Sequence, residues 1–187
     1  MGHRAIRDLL QGEVNVEEKI AGSQFSFGLG EANLDENGTS VDIEYPLEGW
    51  QKDVTNGQPY ALKIRSKGCV MHIDAPEKMF SLAAETVRRL APTLTPGWTY
   101  RGEYLAKPHH NALTYDRVPR SPCPICQSDG MDLCDVCKGT GWINSNIILF
   151  DVSTGNQEFM SYEDKEVEAN RIGLEVVPLL FSGKIGS

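Results

Sequence analysis

The chain has 187 residues, 40% of them hydrophobic and 24% charged, a composition typical of one globular domain with room for a small insert. Its formal net charge of −8 argues against general coating of nucleic acid, but it is compatible with a local basic groove. No apolar run reaches membrane-spanning length and no signal-peptide pattern is present, so we expect no membrane partner.

Residues 4–11 and 14–28 predict a short helix and then two strands that flank one lysine. Apolar residues on one side, ended by Gly12, indicate the helix, and alternating residues on both sides of Lys19 indicate the strands. A lysine at a strand end that faces a pocket can be desolvated, which lowers its pKa and makes its amine a nucleophile. Gly22 would let a phosphate approach the backbone. The alternative is a surface lysine in a hairpin.

Two basic segments predict contacts with phosphate. Residues 58–70 indicate a strand on which three cations share one face, namely Lys63, Arg65 and Lys67. Such a stripe suits phosphate or nucleic-acid contact, but a solvated face is an equally good interpretation. Residues 107–120 also run basic and could hold an RNA strand.

For three further segments the sequence predicts local structure but gives no functional signal. Residues 30–57 are rich in Gly, Asn, Asp and Glu and predict a long surface excursion with one strand-like piece at 41–45. Residues 76–90 predict a packing helix with Pro76 in its first turn. Its apolar stripe consists of Met79, Phe80, Ala83, Val87 and Leu90. Residues 161–172 predict a helix whose capping box runs from Ser161 to Asp164.

Residues 99–105, TYRGEYL, predict a strand that carries one unexpected carboxylate. Glu103 interrupts an otherwise apolar pattern, and a buried carboxylate needs a partner such as a ribose hydroxyl, a metal or an arginine. The alternative is an edge-strand glutamate in water. Residues 147–152, IILFDV, predict a buried strand in which Phe150 is either a stacking partner for a purine or a core side chain.

Residues 121–142 carry the most specific motif in the chain, two C-x2-C pairs separated by seven residues. The candidate ligands are Cys123, Cys126, Cys134 and Cys137. Four thiolates in two tight turns predict a closed, structural zinc site, because a redox motif needs only one pair. This cysteine usage favours a reducing, cytoplasmic compartment. The flanks suggest an insert in a hairpin connection, and Cys69 is expected to be a buried thiol.

The segment EEKIAGSQFSF, with Lys19 and Gly22 in a K-x-x-G motif, resembles the nucleotidyltransferase motif of ATP-dependent RNA ligases, DNA ligases and capping enzymes. Its flanks are most similar to the RNA ligase 2 group of phage and RNA-editing ligases. The pairs Gly-Glu and Phe-Asp and the segment VPLL then follow in that family's order. The resemblance implies an α+β fold: an antiparallel-sheet adenylyltransferase domain of the ATP-grasp-like ligase type over residues 1–187, with a zinc-binding insert at 121–142.

The resemblance also implies a chemistry. Lys19 would attack the α-phosphate of ATP and become a lysyl-adenylate, with Mg²⁺ as the divalent metal and RNA 5′-phosphate and 3′-OH ends as substrates. Glu103 would contact the ribose, Phe150 would stack on adenine, and Lys67 would contact the nucleotide. The full set of nucleotide-binding residues that the resemblance implies is Glu18, Ile20, Gly22, Lys67, Glu103 and Phe150.

The sequence departs from the family in two places. Motif IV, a strand with Glu-Gly, and motif V, a strand with two lysines, have no match, so we expect a C-terminally incomplete domain or a second polypeptide that supplies them. Ala21 stands where many ligases have Asp. The alternatives are a catalytically incomplete, zinc-containing nucleic-acid-binding or adaptor protein, and an ATP-dependent DNA ligase. A compact ligase with inserts suggests RNA repair in a phage.

Overall fold

The computed structural model is an α+β protein whose strands are mostly antiparallel. The structure describes residues 11–127, 129–130 and 134–184. The chain divides into two units, residues 1–20 with 177–187 and residues 21–176. The helix predicted at residues 4–11 lies outside the described residues, apart from Gln11, which is in a turn.

The first unit contains a two-stranded antiparallel ribbon. Strand β1 (Glu13–Glu17) pairs with β14 (Leu179–Lys184), and the register shifts between Val16 and Glu17. The strand predicted before Lys19 is therefore confirmed, although Val16 is 40% exposed and contributes little to a core.

The second unit is organised around an eight-stranded sheet in the described part of the chain. Its strands are β2 (Ser23–Glu31), β3 (Glu44–Tyr45), β4 (Tyr60–Ser66), β5 (Val70–Met71), β6 (Thr99–Tyr104), β11 (Ile147–Gly155), β12 (Glu158–Phe159) and β13 (Glu175–Val176). The order across the sheet is β12-β11-β6-β2-β4-β3, with β5 beside β4 and β13 parallel to β11. The strands predicted around residues 23–27, 58–70, 99–105 and 147–152 therefore all lie in this sheet, and β2, β6 and β11 are adjacent.

Helices and two short ribbons make up the rest of the regular structure in the described part of the second unit. The α-helices are α1 (Trp50–Thr55), α2 (Ser81–Leu90) and α3 (Tyr162–Ile172), and 3-10 turns occur at Lys78–Phe80 and Ala91–Thr93. The ribbons pair β7 (His109–His110) with β8 (Leu113–Thr114) and β9 (Arg120–Pro122) with β10 (Trp142–Asn144).

One face of the sheet forms the core because apolar side chains occupy alternate positions on each strand. Phe25 and Phe27 of β2 are buried, and they stack on Phe80 and Tyr100 at centroid distances of 5.5 and 5.3 Å. Helix α2 contributes buried residues to the same cluster. The opposite face, called the polar face below, carries Gln24, Ser26, Lys63, Arg65, Arg101, Glu103 and Asp151.

Local end signals fix helix α3 as the sequence predicts. The Ser161 hydroxyl accepts a hydrogen bond from the Asp164 N–H at 3.1 Å and donates one to the Asp164 carboxylate at 2.9 Å. At the other end Gly173 adopts a φ of 78°, and its N–H donates to backbone carbonyls in the last turn of the helix.

Several structural predictions are wrong in detail. The helix predicted from Pro76 begins with a 3-10 turn at Lys78 and becomes α-helical at Ser81, and Met79 is 54% exposed instead of lying in the apolar stripe. Cys69 is exposed in the turn between β4 and β5, so it is not a buried thiol. The excursion at residues 30–57 also contains α1, whose buried Gln51 donates to two backbone carbonyls.

No helix in the described ranges combines the length and the apolar character needed to cross a membrane.

Candidate functional site

The four paired cysteines come together in one buried cluster. Their sulfur atoms all lie within 4.8 Å of one another, and each side chain is 8% exposed or less. The sulfur of Cys123 lies 3.7 Å from that of Cys134, and the sulfur of Cys126 lies 3.4 Å from that of Cys137. Each contact joins the two halves of the motif, so the turns present their thiols to one point.

This arrangement could hold a metal ion such as zinc. A tetrahedral site with Zn–S bonds of about 2.3 Å places its sulfur atoms about 3.8 Å apart, close to the separations observed. Burial of the Cys137 thiol opposes ionisation, but hydrogen bonds to its sulfur from Cys126 and the Gly141 N–H favour the thiolate and lower the pKa of Cys137 to about 6. Zinc binds thiolates, so this environment suits a metal ligand.

The cysteine cluster lies in the connection between β9 and β10. The ribbon registers Trp142 with Pro122, and next to this pair the Cys123 N–H donates to the Gly141 carbonyl at 2.8 Å. The antiparallel ribbon therefore brings the two ends of the cysteine-containing segment together. We call this segment, residues 123–141, the knuckle.

Glu103 lies on the polar face in an interior strand, with Gln24 opposite it on β2 and Ile148 opposite it on β11. It is half-buried, and the interpretation of it as an edge-strand glutamate in water is wrong because β6 has a neighbour on each side. Its backbone neighbour Gly102 is required by packing, since a β-carbon there would lie 2.7 Å from the Ile148 carbonyl oxygen.

Gly22 packs directly against Glu103. A β-carbon at Gly22 would lie 2.9 Å from the Tyr104 carbonyl oxygen, 3.1 Å from the Glu103 β-carbon and 3.2 Å from a Glu103 carboxylate oxygen. Real β-carbons essentially never approach other atoms more closely than 3.0 Å, so this position needs glycine. Gly22, the last residue of the K-x-x-G segment, is thus in close contact with Glu103 of the Gly-Glu pair.

Phe150 occupies a β-bulge. Leu149 registers with Gly102 and Asp151 with Arg101, so Phe150 is an extra residue in β11. A bulge changes the direction of side chains, which explains why Phe150 is half-buried while its neighbour Leu149 is fully buried. Phe150 is therefore not the core side chain that the alternative interpretation proposed.

The bulge at Phe150 is tied to helix α3 and to the neighbouring strand. The ammonium of buried Lys165 donates to the Phe150 carbonyl at 2.9 Å. A carboxylate oxygen of the next residue, Asp151, lies 3.6 Å from a guanidinium nitrogen of Arg101 on the neighbouring strand.

The predicted cationic stripe is only partly formed. Lys63 and Arg65 lie on the polar face of β4, and Lys63 is paired with Asp42. Lys67 lies beyond the end of β4, in the exposed turn to β5, so it does not share the strand face with the other two. Its proposed nucleotide contact stays a prediction.

The candidate nucleophile belongs to the first unit. Lys19 is exposed, so the structure gives no support to desolvation of its amine. Its neighbours are better fixed: the Glu18 N–H donates to the Pro178 carbonyl at 2.8 Å, and the Ile20 side chain is 7% exposed.

Sequence reasoning missed Tyr115, whose hydroxyl accepts a hydrogen bond from the Ala21 N–H at 2.7 Å. Ala21 lies in the K-x-x-G segment, and Tyr115 lies just beyond the β7–β8 ribbon. The two residues are 94 positions apart, so no local pattern could have connected them.

No protein-family model matches the chain, and no curated protein or solved structure shows significant similarity to it.

Proposed function

We propose that the chain is a nucleotidyltransferase domain of an ATP-dependent RNA ligase, of the adenylyltransferase fold that the motifs imply. The observation that carries the proposal is the contact between Gly22 and Glu103. Two motifs that resemble parts of one nucleotide site, and lie 81 residues apart (103 − 22), pack against each other so closely that one of them must be glycine.

Lys19 is the nucleophile in this proposal. Its Nζ attacks the α-phosphorus of ATP, a P–N bond forms, the bond to the β-phosphate oxygen breaks, and pyrophosphate leaves while the amine gives a proton to solvent. An RNA 5′-phosphate oxygen then attacks the same phosphorus and breaks the P–N bond. Finally a 3′-OH attacks the 5′-phosphate, forming a phosphodiester and releasing AMP.

The polar face and the β-bulge at Phe150 supply the nucleotide contacts in this scheme. The Glu103 carboxylate accepts hydrogen bonds from the ribose hydroxyls, and the Phe150 ring stacks on adenine from the bulge. Mg²⁺ is commonly held by one or two carboxylates together with substrate phosphates, so it would enter with ATP. Among the described residues, the cysteine cluster is the only group of three or more potential metal-ligating side chains, so a Mg²⁺ ion in this scheme would rely on the phosphates of ATP for most of its ligands.

One observation favours a second candidate function, a zinc-containing nucleic-acid-binding or adaptor protein without catalysis. Lys19 is exposed, and burial is the usual means of making a lysine amine nucleophilic at neutral pH. The two candidates differ in whether the chain forms a covalent adduct with AMP.

The test is covalent labelling with ATP that carries its label in the α-phosphate. We expect label on the wild-type chain in the presence of Mg²⁺ that survives denaturation, and its transfer to a 5′-phosphorylated RNA added afterwards. Lys19→Ala should abolish the labelling, whereas Lys52→Ala, an exposed lysine on α1, should leave it unchanged.

Equal labelling of the wild-type chain and Lys19→Ala would contradict the assignment of the nucleophile. RNA binding without any labelling would favour the second candidate function.

A further inference from the structure

A cavity of about 390 Å³ opens on the polar face and extends away from Glu103. Its lining includes Gly28 and Gly30 of β2, Lys63 and Arg65 of β4, and Val70 of β5. Cavities of about 300–1,000 Å³ accommodate small organic ligands, so this one is large enough for one nucleotide but not for a length of strand.

The cavity exists because β2 lacks side chains at two alternate positions. Gly28 has a structural cause, since a β-carbon there would lie 2.2 Å from the Trp98 carbonyl oxygen. Gly30 has no comparable cause: a β-carbon there would meet only the flexible Lys63 side chain, at 3.1 Å from its Cγ. Residue 30 can therefore carry a side chain without a backbone clash, and such a side chain would fill the cavity.

The cavity is lined by two cations, of which one is neutralised by an ion pair. The Lys63 ammonium is paired with Asp42, but Arg65 makes no ion pair with any residue that the structure describes. Ser26, also in the lining, lies directly opposite Arg65 on β2 and adds a hydroxyl. A planar guanidinium beside a hydroxyl suits a phosphate group, which arginine can bind through two parallel hydrogen bonds.

The cavity extends along β2 away from the position of Glu103. Gln24 registers with Glu103, the nearest lining residue of β2 is Ser26, and Gly30 lies six residues beyond Gln24, a distance of about 20 Å at 3.3 Å per residue. The end of the cavity at Gly28 and Gly30 is therefore distant from Glu103, whereas Ser26 and Arg65 lie at its near end, about 7 Å along the strand from Gln24.

We propose that this cavity binds one nucleotide of the polynucleotide substrate, with its phosphate at Arg65 and its sugar and base above Gly28 and Gly30. The inference rests on the proposed function, because it takes the substrate to be a 5′-phosphorylated polynucleotide. ATP is the other source of a nucleotide, and the experiment separates the two.

The test compares RNA binding with adenylation in the same protein preparations. Gly30→Leu fills the cavity, Gly30→Ala adds one carbon as a milder step, and Arg65→Gln removes the cation. Lys52→Gln removes a positive charge on α1, away from the cavity lining, and serves as the control. The dissociation constant for a 5′-phosphorylated, 3′-labelled single-stranded RNA is measured by fluorescence anisotropy at fixed salt, and adenylation is measured with α-labelled ATP.

We expect Arg65→Gln and Gly30→Leu each to weaken RNA binding about tenfold or more, with a smaller effect for Gly30→Ala and none for Lys52→Gln. Adenylation should stay within about twofold of wild type in all four. Thermal unfolding verifies that each variant is folded. If Gly30→Leu does not fold, Gly30→Ala still tests the effect of a side chain at this position.

Unchanged RNA binding in the Arg65 and Gly30 variants would overturn the proposal, as would a wild-type chain that does not bind RNA. Loss of adenylation together with RNA binding would assign the cavity to ATP and also overturn it. A wild-type chain that binds RNA through the cavity but is not adenylated would support the assignment of the cavity to RNA and refute the ligase function.

Discussion

The knuckle and the polar face differ in how many parts of the chain each must bring together. The four cysteines of the knuckle lie within residues 123–137, in two turns at the end of one ribbon. The polar face collects its side chains from β2, β4, β6 and β11, so its composition depends on strand order and register. We therefore expect the fold of the knuckle to depend on a bound metal ion, and the arrangement of the polar face to depend on the packing of the sheet.

The largest effect that this comparison predicts is on the knuckle. A segment this short has little core of its own, and structural zinc supplies about 10–16 kcal/mol of apparent binding free energy in zinc-finger peptides. We expect the wild type to bind one zinc per chain and Cys126→Ser to bind none. The amide protons of Cys123 and Lys138 should then exchange faster, while those of β2 and β6 stay protected, as hydrogen exchange can measure.

Cys69→Ser is the matched control for the knuckle variant because Cys69 is exposed and outside the cluster. It should leave the zinc content and the exchange pattern unchanged. A purified wild-type chain without zinc, or an equal loss of zinc in both variants, would contradict this account of the knuckle.

An intermediate effect is predicted at Gly22, where the polar face depends on close packing. Gly22→Ala places a carbon 2.9 Å from the Tyr104 carbonyl oxygen, and overpacking of this kind costs about 1–3 kcal/mol. We expect urea unfolding to show that loss of stability. Gly68→Ala, where a β-carbon meets nothing within 4 Å, should change the stability by less than about 0.5 kcal/mol. Equal effects of the two substitutions would mean that Gly22 is not tightly packed.

The smallest effect is predicted for the partly exposed ion pair between Lys63 and Asp42. The hydrogen bond from Lys63 is the main cause that lowers the pKa of Asp42 below its ordinary value of 3.8. Because the folded-state pKa is lowered, the pair stabilises the fold above pH 3.8 and this contribution is lost as the pH falls through the lowered pKa.

Asp42→Asn should therefore reduce the free energy of unfolding at pH 7 by no more than about 1 kcal/mol, the usual range for solvent-exposed pairs. The difference from wild type should vanish in strong acid, as urea unfolding at a series of pH values would show. Glu36→Gln, at an exposed carboxylate of the same surface excursion, is the control. A difference that persists unchanged in acid would show that the ion pair is not its cause.

The features that the sequence could predict are those that depend on one continuous segment, as the knuckle does. Three of the predictions rest on local patterns: the cysteine spacing, the alternation of residues in strands and the capping box at Ser161. The structure contains the corresponding four-cysteine cluster, strands and capped helix. The bulge at Phe150, the contact of Gly22 with Glu103 and the hydrogen bond from Ala21 to Tyr115 depend on strands distant in sequence. No periodicity within one segment contains that information.

The errors have physical causes of the same kind. Helix α1 is short and buries the polar Gln51 and Thr55, so it shows no apolar stripe in the sequence. The sequence pattern predicts Met79 on the apolar face of a helix, but the residue lies in the 3-10 turn before α2, where the spacing of side chains differs. Cys69 sits in a tight turn at the end of β4, a position that leaves it exposed.

The most direct test of the central claim is to locate AMP on the chain by mass spectrometry. The wild-type protein is incubated with ATP and Mg²⁺, digested, and its peptides are mapped. We expect one AMP moiety per chain, attached to Lys19 through a bond that acid cleaves, as is typical of a phosphoramidate. AMP on a different residue, or no adduct on a correctly folded chain, would contradict the proposal that Lys19 performs nucleotidyl transfer.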